Sequence, residues 1–284
     1  VRLTALIALR SHLLAGASFG PYAVDERVYA ADLWDAIPDH SLTLLDRNYL
    51  QANVLVPLST KGTDRHWMTR AKSTSAWTVL EKLGKGDFLV EMEVSSAARQ
   101  KDPSLPASFR CRVIEYKRPG HAAQKLITSL VDAKRFPRGE LVELYHERWE
   151  IELAYDEIKT DVLHRQECIR SQSPDGVRQE IWGILLAYNL VRVEMERVAD
   201  EIGVPPLRIS FIASLRAIRD RWLLAATTDS LGNVPRFLRD LREEIATFLL
   251  PPRRSRTFPR HVKLKMSNYP RNRRRGGLKD RHCA

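Results

Sequence analysis

The sequence is poor in cysteine, in long apolar runs and, over its last stretch, in acid. It has three cysteines, Cys111, Cys168 and Cys283, far apart and odd in number. No Cys-x-x-Cys and no Cys/His ligand spacing accompanies them. That argues against a disulfide framework and a zinc site, and it points to a reducing cytosol. The longest apolar run, 181–191, is too short to span a bilayer, so no membrane role is expected. Residues 1–18 have the outline of a signal peptide, but Arg10 and His12 interrupt it, and a buried strand fits better. Gly84-Lys85-Gly86 lacks the rest of a phosphate-binding loop and reads as a turn. No internal repeat is visible.

Acid is missing where base is dense. Residues 251–284 carry twelve Lys/Arg against one acid, Asp280, whereas the first 250 residues balance at 34 of each sign. The whole net charge of +11 therefore sits in the tail. A neutral body with a basic, proline-punctuated tail suits a polyanionic partner. Arg253, Arg254, Arg256, Arg260, Lys263 and Lys265 are the candidate contacts. Phe258 and Tyr269 among them favour nucleic acid, through phosphate contact with occasional stacking. The bland alternative is a solvated, disordered tail.

At 284 residues the chain can bury one large core or two small ones. Residues 2–9 and 12–20 read as strands, and Asp25 as the cap of a helix that Pro38 stops. SLTLLDR, 41–47, is a short apolar run ending in an acid, as expected of a buried strand with a functional tip. A helix over 49–60 and a strand over 65–72 follow. Between 76 and 134 the pattern alternates and is broken by glycine and proline, which predicts a small antiparallel β unit. A long helix over about 139–163 comes next. Further helices are expected over 176–200, 207–224 and 235–250. The order is that of an α/β fold.

The stretch YHERWEIELAYDEIK, 145–159, holds five carboxylates, two cations and three aromatics. At about 100° per residue, Tyr145, Arg148, Glu152 and Lys159 fall within roughly 60° of one another. They border an apolar stripe of Leu144, Ile151, Tyr155, Ile158 and Val162. Glu143, Glu147, Glu150, Asp156 and Glu157 read as a solvated face with local ion pairs. Trp182, Tyr188 and Trp222 read as core, and His66, His146 and His164 as surface or packing residues. Asp46 and Glu152 are the carboxylates to pair. Clustered at a strand end, they suit Mg²⁺ (or Mn²⁺), which takes hard oxygen ligands and keeps waters and phosphate oxygens for the rest. Two such ions could activate a water or a 3′-hydroxyl against a phosphodiester. Arg148 and Lys159 can clamp phosphates, and Tyr145 can donate to a phosphate oxygen or stack.

The pattern Y-x2-R-x3-E-x6-K, complete in Tyr145, Arg148, Glu152 and Lys159, resembles the signature of the insertion-sequence 4 family of DDE transposases. LTLLDRNY, 42–49, looks like that family's strand with its second catalytic Asp, here Asp46. Asn48 departs mildly from the usual small residue. RSQSPDGVRQEIWGILLAYNL, 170–190, and PPRRSRTFPRHVKLK, 251–265, also look typical, so the resemblance covers essentially the whole chain. It implies an RNase H-like mixed sheet, lacking its first strand here, interrupted by a β insertion and followed by C-terminal helices. The expected parts are 1–75 and 135–200 for the catalytic core, 76–134 for the insertion, 201–250 for the helical region and 251–284 for the tail. It also implies metal-dependent cleavage at insertion-sequence ends and transfer into target DNA. Terminal repeats and target DNA are then the partners, a homodimer brings two ends together, and the protein is nucleoid-associated in the cytoplasm.

In that family the first catalytic Asp lies on a strand upstream of the segment resembling residues 1–20. The expectation is therefore a transposase fragment with an incomplete two-metal site and little activity by itself. Two other readings stay open. One is a non-catalytic DNA-binding remnant that interferes with intact transposase. The other is a host nuclease of the same fold, which would not need Tyr145 and Lys159 in this frame.

Overall fold

Alternation of apolar side chains decides the strands, and their pairing decides where Asp46 lies. The computed structural model describes residues 1–118, 122–164, 169–227 and 234–252. β1 (Arg2–Ile7) and β2 (Leu14–Gly20) form an antiparallel two-stranded sheet, with Arg2 opposite Gly20 and Leu6 opposite Gly16. α1 (Glu26–Ala31) follows, and the Asp25 carboxylate caps it by accepting from the Arg27 N–H. A short 3₁₀ turn, Trp34–Ala36, ends ahead of Pro38. β3 (Ser41–Leu44) then runs parallel to β4 (Arg65–Arg70), with α2 (Ala52–Thr60) as the crossover.

β5 (Thr78–Gly84), β6 (Asp87–Glu93), β7 (Ser108–Tyr116) and β8 (Gln124–Thr128) are antiparallel, as the alternation over 76–134 predicts, and α3 (Ser96–Lys101) lies between β6 and β7. They do not stand apart. β8 pairs with β4, Met68 opposite Thr128, giving one six-stranded sheet in the order β3-β4-β8-β7-β6-β5. The strands after β4 therefore widen and stiffen the sheet from whose edge strand the chain runs on to Asp46. The turn into β6 uses Gly86 at φ +67°, where a Cβ would also press on the Glu115 carbonyl.

Side chains of the six-stranded sheet divide by parity. Trp67, Val90, Cys111, Val113 and Ile127 face α1 and α2. Met68, Ile114, Tyr116 and Leu126 face α4 (Arg138–His146). Arg112 shares that second face, fully buried. Its Nε and Nη2 donate to the Asp87 carboxylate at 2.7 and 2.6 Å, and its Nη1 donates to the Phe136 carbonyl at 2.7 Å. The bidentate pair fixes the guanidinium on β6, and the bond to Phe136 pins the loop that delivers α4 to the sheet.

A third cluster joins α5 (Glu150–Asp156), α6 (Pro174–Ile202), α7 (Phe211–Thr227) and α8 (Val234–Ala246) with Leu3, Ile7, Leu14, Ala17 and Phe19 of the small sheet. Tyr188 lies in this core as expected. Trp182 and Trp222 do not, being about half exposed. Each instead touches one ring at the core margin, Phe19 and Phe237 respectively.

The unpaired edges of β1 and β3 line a common cavity of about 540 Å³, together with Asp46, Tyr49, Arg148, Ile151 and Tyr155. The long helix expected over 139–163 is not continuous. A 3₁₀ turn, Glu147–Trp149, separates α4 from α5, and a π turn, Glu157–Val162, ends α5. Residues 253–284, with the tail candidates Arg253, Arg254, Arg256, Arg260, Lys263 and Lys265, lie outside the described residues.

Candidate active site

Asp46 stands just beyond β3, where the chain leaves the sheet. Its side chain caps the next 3₁₀ turn by accepting from the Asn48 N–H at 3.1 Å, and its carbonyl accepts from the Thr69 hydroxyl of β4 at 3.0 Å. The backbone is thus held from two sides while the carboxylate stays about half exposed. Glu152, on α5, is similarly half exposed.

Arg148 joins the two. Its Nη1 lies 3.5 Å from Asp46 Oδ2 and its Nη2 3.5 Å from Glu152 Oε1. One guanidinium therefore bridges two carboxylates that are distant in sequence, and it is mostly shielded from solvent. The guanidinium also lies over Trp149, with Cζ 5.9 Å from the ring centroid. Lys159 sits in the π turn, exposed, with Nζ 6.0 Å from the Tyr155 ring centroid.

Tyr145 is placed differently from its neighbours in the stripe. It is buried against the second sheet face, and its hydroxyl donates to the Leu45 carbonyl at 3.1 Å. Burial pushes its phenol pKa up. In this position it braces the residue before Asp46 and does not face outward.

Five further residues form a charged cluster on the opposite side of the same helix. His12 is fully buried in the β1–β2 connection, at φ +60°. Its Nε2 lies 2.8 Å from Glu150 Oε2 and its Nδ1 3.4 Å from Glu157 Oε2. Arg192 of α6, almost fully buried, donates to Glu157, and its Nη2 lies 3.0 Å from His12 Nδ1. The Tyr188 hydroxyl donates to Glu157 at 3.0 Å. The solvated role that periodicity gives Glu150 and Glu157 is thereby corrected. Glu143 does lie in solvent, and Glu147 is partly exposed. Burial lowers the His12 pKa, but hydrogen bonds to Glu150 and Glu157 outweigh it, and the net shift is upward. Burial raises the Glu157 pKa, but His12 and Arg192 outweigh it, and the net shift is downward. The signal for this cluster was in the sequence: two acids seven apart, and an arginine directly after the apolar run 181–191.

Among the described residues no group of three or more His, Cys, Asp or Glu is disposed to hold a metal. The Asp46–Glu152 pair offers two hard, half-exposed carboxylates, a donor set that suits Mg²⁺ when waters or phosphate oxygens complete the shell.

A mixed sheet, with a carboxylate beyond an edge strand and a second carboxylate on the helix beside it, is compatible with the RNase H-like core of a DDE transposase. The comparisons agree. The transposase DDE domain family matches residues 1–190. The chain is 40% identical over 271 residues to the transposase InsG for insertion sequence element IS4 of Escherichia coli K12, covering 95% of this chain and 61% of that protein. It is 38% identical over 81 residues to the putative transposase InsZ of the same strain, covering 28% of this chain and 27% of that one. The chain belongs to the DDE transposases, in the insertion-sequence 4 family. It spans less than two thirds of the length of either relative.

Proposed function

We propose that the chain carries part of the catalytic machinery for metal-dependent cleavage and strand transfer at insertion-sequence ends. The observation that supports this most is the Arg148 guanidinium ion-paired with both Asp46 and Glu152. In this reading Asp46 and Glu152 hold Mg²⁺ or Mn²⁺. The ion, when bound, supplies a Lewis acid for the phosphodiester and an acidified water or hydroxyl. Arg148 turns from its carboxylate partners to a phosphate oxygen as DNA enters, and Lys159 holds a neighbouring phosphate as a point charge. Tyr145 acts through the backbone, bracing the approach to Asp46. Terminal repeats and target DNA are the partners, paired ends imply a homodimer, and the basic tail adds sequence-independent affinity.

The family resemblance assigns a further Asp to a strand that precedes β1 in order. The cavity lined by the free edges of β1 and β3 and by Asp46 is where such a strand is proposed to lie. The polypeptide 1–284, taken by itself, is therefore proposed to bind DNA and metal but to have little strand-transfer activity. Robust Mg²⁺-dependent strand transfer by it would overturn that part. The metal site is tested by Mn²⁺ titration followed by electron paramagnetic resonance, with a DNA duplex present. Asp46→Asn and Glu152→Gln should each weaken binding by more than the ~10-fold that loss of a supporting residue costs. Unchanged affinity in both variants refutes the site and leaves a DNA-binding protein without catalytic metal.

A further inference from the structure

We infer that His12, Glu150, Glu157, Tyr188 and Arg192 form a positioning cluster that sets the orientation of the helix bearing Glu152 and Lys159. The inference rests on the reading of Glu152 as a metal-binding carboxylate. None of the five faces the candidate site, so their effect is exerted through the helix.

Geometry comes first. Glu150, at the start of α5, and Glu157, at the start of the π turn, are seven residues apart, close to two turns, and share one face of the segment. Glu152 points roughly 150° away around the axis. The cluster therefore grips the helix from behind, and the grip leaves Glu152 turned toward Asp46. Three separate elements supply it: the β1–β2 connection through His12, the signature segment through Glu150 and Glu157, and α6 through Tyr188 and Arg192. Asn189, one position from Tyr188, bonds both the N–H and the carbonyl of Leu14 at 2.8 and 2.9 Å. That ties α6 to β2 and fixes the frame from which Arg192 reaches.

The segment needs such a grip because its own backbone does not define one register. It passes from a 3₁₀ turn to α-helix to π turn within sixteen residues, Glu147–Val162. Each change of hydrogen-bond pattern alters the rotation per residue. Glu157 is the first residue of the π turn and the one on which Arg192, Tyr188 and His12 converge. Anchoring it fixes where the π turn begins and so the direction of Lys159, two residues on.

Stability alone does not account for the cluster. Buried charged groups are commonly replaced by apolar side chains without loss of stability. Here His12 and Arg192 are buried, Glu150 and Glu157 are mostly shielded, and His12 adopts a left-handed backbone conformation to put its ring inside. A packed apolar contact would hold the helix against α6 yet permit rotation, which directional hydrogen bonds do not.

The test uses the full 284-residue chain and three variants: Arg192→Met, the conservative Arg192→Lys, and Tyr188→Phe, which removes one hydroxyl and keeps the packing. Amide hydrogen exchange is followed by mass spectrometry, and Mn²⁺ affinity is measured with a DNA duplex present. The expected result for Arg192→Met is exchange faster by ~10-fold or more in 150–162, with β7 and β8 unchanged. Mn²⁺ binding should weaken by ~10-fold, with partial recovery in Arg192→Lys. Tyr188→Phe should show the same local pattern more weakly, and it decides the matter if Arg192→Met does not fold. Equal loss of protection across the whole chain, or none in 150–162, overturns the inference. So does local loosening with Mn²⁺ affinity intact while Glu152→Gln still weakens it. If Glu152→Gln itself leaves Mn²⁺ binding untouched, the site reading falls, and the exchange data alone decide whether the cluster holds the helix.

Discussion

Replacing Arg148 and Arg112 by methionine, one at a time, removes the same guanidinium from two very different surroundings. Arg148 makes two ion pairs at 3.5 Å to carboxylates that are about half exposed. Such pairs are worth ~0.5–1 kcal/mol each and weaken with salt, so Arg148→Met should cost ~1–2 kcal/mol. Arg112 is fully buried, bidentate to a buried Asp87, and bonded to a loop carbonyl. Its loss leaves a carboxylate unpaired in the interior, which costs ~3–5 kcal/mol. Urea unfolding of both variants gives the two numbers. Repeating it at higher salt should shrink the difference between wild type and Arg148→Met but hardly change that for Arg112→Met. Binding to a DNA duplex, followed by fluorescence anisotropy, should reverse the ranking. Arg148→Met lowers the slope of log affinity against log salt by ~0.9, the value for one lost phosphate contact. Arg112→Met, below its unfolding temperature, leaves that slope unchanged. Equal destabilisation by the two substitutions would refute the division into a structural and a functional arginine. A DNA salt slope untouched by Arg148→Met would do the same.

Two further outcomes follow from the same charges. Because the His12 pKa is raised, its contribution to stability is complete below the ordinary value of 6.5 and is lost as pH rises through the raised value. Glu157, whose pKa is lowered, contributes above its ordinary 4.5 and loses that contribution as pH falls through the lowered value. Urea midpoints should therefore peak between about 4.5 and 6.5, and His12→Asn should flatten the alkaline limb; a wild-type midpoint constant from neutral to alkaline pH contradicts this. Cys111 is enclosed, and burial pushes its thiol up to about 12. Peptide mapping after treatment with a maleimide should find it unlabelled in the native chain and labelled in urea, and native labelling would show the sheet face to be open.

Much of the frame was legible because local rules and tertiary demands agreed. Asp25 as a cap, Pro38 as a stop, and the apolar run leading to Asp46 each follow from chemistry within a few residues. Other features depend on partners far along the chain. Glu150 and Glu157 look like solvent-facing acids until α6 brings Arg192 and Tyr188 against them. The broken hydrogen-bond pattern of the signature segment has no local marker, since it contains neither glycine nor proline. Tyr145 falls in the polar stripe by angle, yet the helix breaks after His146, and α4 turns Tyr145 toward the sheet. Hydrophobicity alone places Trp182 and Trp222 inward, and it does not distinguish a core position from the margin of a helix face.

The two faces of the signature helix pose the same electrostatic problem and answer it differently. Behind it, Glu150 and Glu157 meet His12, whose pKa is raised, and the guanidinium of Arg192, so both acids have partners within the protein. That balance lets the cluster be enclosed without an external ion. In front, Asp46 and Glu152 share the single guanidinium of Arg148, at longer range, and both remain open to solvent. Among the described residues Arg148 is the cation ion-paired with both, so the second negative charge is open to water or to a bound cation. Two carboxylates on a helix and a neighbouring element do not by themselves mark a metal site. What separates the front pair from the back pair is this unmet charge together with access. A cation introduced behind the helix, for example by Tyr188→Lys, should therefore lower the urea midpoint, and it reaches Mn²⁺ binding only through the loosened helix. One introduced beside Asp46 by Asn48→Lys should weaken Mn²⁺ binding while leaving the urea midpoint nearly unaltered. An unaltered midpoint in Tyr188→Lys, or a lowered one in Asn48→Lys, would show that the charge balance of the helix has been drawn on the wrong side.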